Sequence, residues 1–106
     1  MSNIFDKIQQ TIDNNSVVLF MKGTRDFPQC GFSAMIVQIL KNLNVQFLDI
    51  NVLSDSEIRQ SIKEFSDWPT IPQLYIKGEF IGGCDIVKEM MQSGELLTLL
   101  TEKNII

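Results

Sequence analysis

The chain contains no histidine, and this absence removes several kinds of chemistry. Catalytic pairs in which histidine activates a serine or a cysteine are excluded, and so are zinc sites that use two histidines. The two cysteines, Cys30 and Cys84, cannot complete a four-thiolate metal site within one chain. They are far apart in sequence, so we expect two free thiols in a reducing compartment. Any reaction must use a thiolate, a carboxylate, a basic side chain or a group from outside the chain.

Basic segments and long apolar runs are also missing. The 106 residues carry a formal net charge of −4 without a basic cluster, which argues against nucleic acid as a partner. The longest apolar runs, such as VVLFM, are too short to cross a bilayer, so no membrane partner is expected. The start, MSNIFDKIQQ, does not have the basic and apolar regions of a secretory signal. We expect one domain, residues 1–106, with one modest core.

Hydrophobic patterns and turn residues predict the order of helices and strands. Helices are predicted at 3–14, at 31–43, from a capping box of Ser54 and Glu57, from an N-cap at Asp85, and after Gly94. Strands are predicted at 16–21, 46–51, 73–77 and 79–83. The order joins a β-α-β half to a β-β-α half. It predicts an α/β protein of thioredoxin fold, with a four-stranded mixed sheet and helices on both faces.

Cys30 lies where the loop after the first strand meets the start of a helix. The helix start offers unpaired N–H groups and a positive dipole end, and Lys22 adds a charge from the other end of the loop. Both effects lower a thiol pKa and raise its reactivity. The alternative is a buried cysteine that packs as a small hydrophobe, but the setting favours a reactive thiol. Arg25 and Asp26 in the same loop are weaker candidates.

The segment WPTIP, 68–72, is a second signal. Two prolines bracket Thr70 and Ile71 immediately before a strand. If the bond before Pro72 is cis, it turns the Ile71 main chain outward, where it can pair with a peptide-like ligand. The alternative is a rigid turn without a ligand. Trp68 is expected to be structural or to form a rim.

The segment GGCDI, 82–86, is a third signal. Its glycines permit close approach of the backbone, while Asp85 and the N–H groups of the helix start can hold an ammonium or a carboxylate. The alternative is an ordinary glycine turn before a capped helix. Cys84 either packs inside or forms a disulfide with Cys30 if the fold brings them together.

Two basic residues four positions apart, Arg59 and Lys63, share one face of a helix. With Lys22 they could bind the carboxylates of a ligand. A solvated helix face is the commoner role of such a pair.

Lys22, CGFS at 30–33, WPTIP at 68–72 and GGCD at 82–85 occur together and in this order. The chain thereby closely resembles the monothiol glutaredoxins of the CGFS type over residues 3–103, and within them the single-domain subgroup of bacteria and organelles. The resemblance implies a glutathione site and a place in the bacterial cytoplasm or an organelle matrix. It makes Cys30 the active thiol and cluster ligand, with Gly31 and Phe32 shaping the cluster pocket. The cofactor-binding residues that it implies are Lys22, Phe32, Arg59, Lys63, Thr70, Ile71, Pro72, Cys84 and Asp85.

The resemblance also implies a [2Fe-2S] cluster held between two subunits by two Cys30 thiolates and two glutathione thiolates. Four thiolates are the usual ligand set of such a cluster. The expected role is transfer of the cluster by a homodimer to apo iron–sulfur proteins, with BolA-like proteins as helpers. One alternative is a glutathione-dependent thiol–disulfide oxidoreductase in which Cys30 attacks a glutathionylated substrate. Another is a redox-inert adaptor. Ser33 leaves Cys30 without a close resolving thiol, which favours the shared cluster.

Overall fold

The computed structural model describes residues 3–106, and it confirms the predicted order of elements. The helices are α1 (Ile4–Asn14), α2 (Gly31–Asn42), α3 (Ser56–Ser66), α4 (Cys84–Ser93) and α5 (Glu95–Glu102). The strands are β1 (Val17–Met21), β2 (Leu48–Asn51), β3 (Gln73–Ile76) and β4 (Glu79–Gly82). A short 3₁₀ turn, Val52–Ser54, joins β2 to α3.

The strands form one mixed sheet in the order β2-β1-β3-β4. Strand β1 runs parallel to β2 and antiparallel to β3, and β3 and β4 form an antiparallel hairpin. This is the predicted four-stranded thioredoxin fold. Strand β1 lies inside the sheet, and the loop that leads to Cys30 follows its carboxyl end.

Side chains of β1 alternate between two hydrophobic clusters, one on each face of the sheet. Leu19 packs in the cluster that contains residues of α2, α4 and α5, whereas Phe20 packs in the cluster that contains residues of α1 and α3. All five residues of β1 are buried. The continuous apolar run VVLFM is therefore explained by helices that cover both faces.

Two predicted helix caps were wrong. Asp55, not Ser54, caps α3, and its carboxylate accepts the N–H groups of Glu57 and Ile58 at 3.0 and 3.2 Å. Ser54 belongs to the preceding 3₁₀ turn, where its hydroxyl donates to the carbonyl of Asn51. Helix α4 begins at Cys84 with Gly83 as its N-cap residue, so Asp85 lies in the first turn instead of capping it.

The loop from Lys22 to Cys30 closes on itself before α2 begins. Thr24 and Phe27 exchange main-chain hydrogen bonds of 3.3 and 3.1 Å. The N–H of Gln29 donates to the carbonyl of Lys22 at 2.9 Å. This bond holds the two ends of the loop together, so that Cys30, the next residue, lies near Lys22.

The tight turn at Gly23 predicts a large loss of stability on Gly23→Ala. Its φ is +90°, and an added Cβ would lie 2.5 Å from the Phe27 carbonyl oxygen and 2.6 Å from the Gln29 nitrogen. Gly94 has a similar φ of +87° but open space around its Cβ position, so Gly94→Ala is the matched control. Both variants should lose about 1–2 kcal/mol of unfolding free energy for the left-handed backbone.

Gly23→Ala should lose about 1–3 kcal/mol more, because backbone atoms have to move. Urea unfolding of both variants measures the difference. Equal losses would contradict the steric argument.

Candidate functional site

The Cys30 thiol lies at the N-cap position of α2 and is partly exposed. Partial burial by itself would raise its pKa. The N–H groups of Ser33 and Phe32, together with the charge of Lys22, outweigh burial and hold the pKa of Cys30 below its ordinary value. This is the direction expected from the sequence. The thiol is therefore more readily ionised than a free cysteine.

Ser33 is fully buried, and its hydroxyl oxygen accepts the N–H of Lys22 at 3.1 Å. The side chain therefore joins the end of β1 to the first turn of α2. It holds the position that a second cysteine would have in a two-cysteine redox motif. The sequence had indicated only what Ser33 lacks, and this structural role was missed.

A pocket of about 460 Å³ opens beside Cys30. It brings together the three segments that the sequence had singled out separately. Its lining residues are Lys22, Cys30, Phe32, Lys63, Trp68, Pro69, Thr70, Ile71, Pro72, Gly83, Cys84, Asp85 and Ile86. This set includes nearly all of the candidate residues. Two candidates, Gly31 and Arg59, do not line the pocket. Gly31 begins α2, and Arg59 is exposed one turn before Lys63 on α3.

The wall formed by WPTIP offers main-chain groups to the pocket. The Ile71–Pro72 peptide bond is cis, and Ile71 is only 6% exposed. Within residues 3–106, the N–H and C=O of Ile71 make no hydrogen bond. Such groups are rarely left unpaired when buried, so a bound peptide-like ligand is a natural partner for them.

A buried glutamine supports this wall from behind. The Gln73 side chain is fully buried, and its Nε2 donates to the carbonyls of Trp68 and Thr70, each at 3.2 Å. From the sequence, Gln73 was predicted only as the first residue of a strand, and this supporting role was missed. A polar residue as the first residue of an otherwise apolar buried strand is the signal that could have found it.

Gly83 allows the third segment to pack against this wall. A Cβ at Gly83 would lie 3.2 Å from the Pro72 carbonyl oxygen and 3.4 Å from Trp68 Nε1. The absence of a side chain therefore permits the close approach that the paired glycines indicated. Trp68 itself is half-buried, packs on Phe80 and lines the pocket, as expected of a structural or rim residue.

Cys84 lines the same pocket, but the pKa of its thiol is shifted in the opposite direction. Burial and the negative charge of Asp85 raise the pKa of its thiol, and Lys88 opposes them only partly. Both cysteines are free thiols, and Cys84 Sγ lies 3.6 Å from Met35 Sδ. The site thus contains one thiol that ionises readily and one that does not.

Arg25 does not face the pocket. Its Nε forms an ion pair with Asp49 at 3.2 Å on the side of the loop next to β2. Among residues 3–106, no group of three or more histidine, cysteine, aspartate and glutamate side chains could hold a metal ion. No helix in this part of the chain is long and apolar enough to cross a membrane.

The fold and the site define a thiol protein of the thioredoxin fold, with one activated cysteine at a helix start facing a cis-proline wall. The glutaredoxin family model matches residues 17–81. A probable monothiol glutaredoxin 2 of Rickettsia typhi is 59% identical over 91% of this chain and 86% of its own length. The chloroplastic monothiol glutaredoxin-S14 of Arabidopsis thaliana is 60% identical over 86% of this chain and 53% of its own length. The chain therefore belongs to the glutaredoxin family, among its monothiol members.

Solved structures agree with this assignment. A monomeric truncated mutant of 1-C-Grx1 from Trypanosoma brucei superposes with a TM-score of 0.89 and 40% identity, over 100% of this chain and 96% of the other. A buckwheat glutaredoxin, solved as a complex with glutathione, superposes with a TM-score of 0.84 and 28% identity, over 96% of this chain and 91% of the other.

The opposite pKa shifts of the two thiols predict that they react over different pH ranges. In Cys84→Ser, the remaining Cys30 should alkylate at a lower pH than a cysteine in a short peptide, because a lowered pKa leaves thiolate present at lower pH. In Cys30→Ser, the remaining Cys84 should require a higher pH than the peptide. Rates of reaction with iodoacetamide, followed as a function of pH, measure both. The reverse order would contradict the assignment of the reactive thiol.

Proposed function

We propose that the protein binds glutathione beside Cys30 and that two copies together carry a glutathione-ligated [2Fe-2S] cluster to apo iron–sulfur proteins. The observation that carries the proposal is the Cys30 thiol, readily ionised, on a pocket whose walls offer unpaired main-chain groups and charged side chains. Membership of the monothiol glutaredoxins supports the same role. The cluster is cargo, and glutathione completes its ligand set.

The pocket suits glutathione group by group. Glutathione is a tripeptide with one ammonium, two carboxylates and a thiol. The Ile71 N–H and C=O can pair with its cysteinyl unit, while Lys22 and Lys63 can bind a carboxylate. The first turn of α4, with Asp85, can bind the γ-glutamyl end. The buckwheat glutaredoxin, solved as a complex with glutathione, supports glutathione as the ligand.

The ligand count explains why two copies are needed. A [2Fe-2S] cluster commonly takes four thiolates, whereas the described residues hold only Cys30 and the less easily ionised Cys84. One Cys30 and one glutathione from each of two copies supply four thiolates. A lowered pKa favours this role, since a thiol must lose its proton to bind iron.

Thiol–disulfide exchange is the competing function of the same thiol. Cys30 could attack a glutathionylated protein, and a second glutathione could release it. No observation favours this reaction over the cluster. Recipient apo-proteins and BolA-like helpers belong to the proposal through the family resemblance. A place in the bacterial cytoplasm or an organelle matrix also belongs to it, and the bacterial and chloroplastic relatives support that place.

Anaerobic reconstitution tests the carrier. Iron, sulfide and glutathione should convert the protein into a coloured dimer, which native mass spectrometry detects with one cluster and two glutathiones. Cys30→Ser should abolish the colour and the dimer because it removes the protein ligand. Cys84→Ser is the matched control and should keep both. A colourless monomer would defeat the carrier, and rapid turnover of a glutathione mixed disulfide by that monomer would establish the oxidoreductase instead.

Glutathione affinity tests the charged residues. Lys22→Ala should weaken binding about five- to tenfold, as expected for loss of one charge-assisted hydrogen bond. Arg59→Ala should change affinity less than about twofold, because Arg59 does not line the pocket. Lys7→Ala on α1 removes the same charge away from the pocket and is the matched control. Calorimetry measures all three. An Arg59→Ala effect as large as that of Lys22→Ala would restore Arg59 to the binding site.

A further inference from the structure

The loop that joins Lys22 to Cys30 is fastened to the edge strand β2 by Asp49. The Asp49 carboxylate accepts the main-chain N–H of Arg25 at 2.9 Å and its Nε at 3.2 Å. The Arg25 guanidinium also donates to the carbonyl of Phe47 and lies over the Phe47 ring, 4.1 Å from its centroid. The Arg25 and Asp49 side chains are 33% and 21% exposed. One carboxylate therefore fixes both the backbone and the side chain of Arg25.

A second residue of β2 holds the same loop. The Asn51 side-chain oxygen accepts the N–H of Gly23 at 3.0 Å and that of Leu53 at 2.9 Å. Asp49 and Asn51 are two residues apart on a strand, so their side chains point to the same side. Strand β2 thus presents two acceptors in a row to the loop.

These contacts hold the main chain at and after Lys22. Its own N–H is held by Ser33, its carbonyl accepts the N–H of Gln29, and the next N–H, that of Gly23, is held by Asn51. Arg25 follows two residues later and is held by Asp49. Neither Arg25 nor Asp49 lines the pocket. Their effect on the site must therefore pass through the loop.

We propose that Asp49 is a positioning residue of the glutathione site: through Arg25 it holds the 22–30 loop against β2 and thereby fixes Lys22 relative to Cys30. The inference rests on the proposed function, in which Lys22 and Cys30 bind glutathione. Exposed ion pairs usually contribute little to stability. This pair differs because the carboxylate also takes a main-chain N–H, which sets the geometry of the loop as well as its charge.

Removal of the Asp49 charge and loss of the Lys22 position predict changes in glutathione affinity of opposite sign. Glutathione carries a net negative charge at neutral pH, so loss of a carboxylate removes Coulomb repulsion and should by charge alone tighten its binding. Loss of a positioned Lys22 should weaken it. The sign of the change therefore separates the two effects.

The test is Asp49→Ala in the full chain without cluster, with folding checked by circular dichroism. We expect glutathione affinity, measured by calorimetry, to fall about fivefold, the order of one lost hydrogen bond. Cys30 alkylation by iodoacetamide should slow by a similar factor. Asp49→Asn keeps an acceptor for the Arg25 N–H and should retain most of both. Asp13→Ala removes one carboxylate from α1 and should change neither.

Unchanged or tighter binding in folded Asp49→Ala would overturn the proposal. So would an equal loss of affinity in a Lys22→Ala background, where no positioned lysine remains and the effect should vanish. If Asp49→Ala does not fold, Arg25→Lys takes its place with the same criteria, because it keeps the positive charge but removes the Nε bond to Asp49 and the guanidinium bond to the Phe47 carbonyl. Asp49→Asn remains the control. The alkylation rate needs neither glutathione nor cluster. Failure of the parent protein to bind glutathione would thus count against the proposed function and still leave the positioning role decided.

Discussion

The N–H groups at the start of α2 stabilise the Cys30 thiolate, and the chemistry proposed for the protein depends on this interaction. It requires the helix to begin at the residue after the cysteine, and it requires Lys22 to stay close. Both conditions follow from β1, which is buried on both faces and ends at Met21, directly before Lys22. A rigid central strand thus places one end of the loop, and the helix packed on the sheet places the other.

The missing second thiol shapes the site as much as the thiol that is present. A cysteine at position 33 would be a resolving partner, but the serine there is buried and bonded to the main chain of Lys22. The site therefore has room for a ligand from outside instead of an internal disulfide partner. Cys84 lies on the same pocket, yet its raised pKa makes it a poor competitor for metal or for an electrophile.

Support for the pocket comes from polar residues that do not touch its contents. Gln73 holds the carbonyls of the WPTIP wall from inside the core. Asp49 and Asn51 hold the loop from the edge strand. Ser33 joins the Lys22 end of that loop to the first turn of α2. A reactive group on a loop needs such support, because an unsupported loop samples geometries in which thiol and lysine are too far apart to act together.

Much of this protein was predictable from local patterns. The fold was predicted by the apolar run of β1 and by the helical spacing in α1 and α2. Most residues that line the pocket were predicted by the motifs at Lys22, Cys30, Ile71 and Asp85. Their signals lie within a few neighbouring residues, and helix and strand periodicity reports them directly. The predicted helix boundaries were less accurate. Ser54 and Asp55 are both good capping residues, and Asp55 caps α3 because Ser54 belongs to the 3₁₀ turn that joins β2 to α3.

Tertiary structure alone decided the rest. Lys63 lines the pocket and Arg59 does not, although both share one helical face, because the packing of α3 on the sheet sets which turn reaches the site. Arg25 could have faced a ligand, but it bonds to Asp49, 24 positions further along the chain. Hydrogen bonds of this kind join segments with no local pattern in common. Their partners are fixed only when the sheet has brought β1 and β2 side by side.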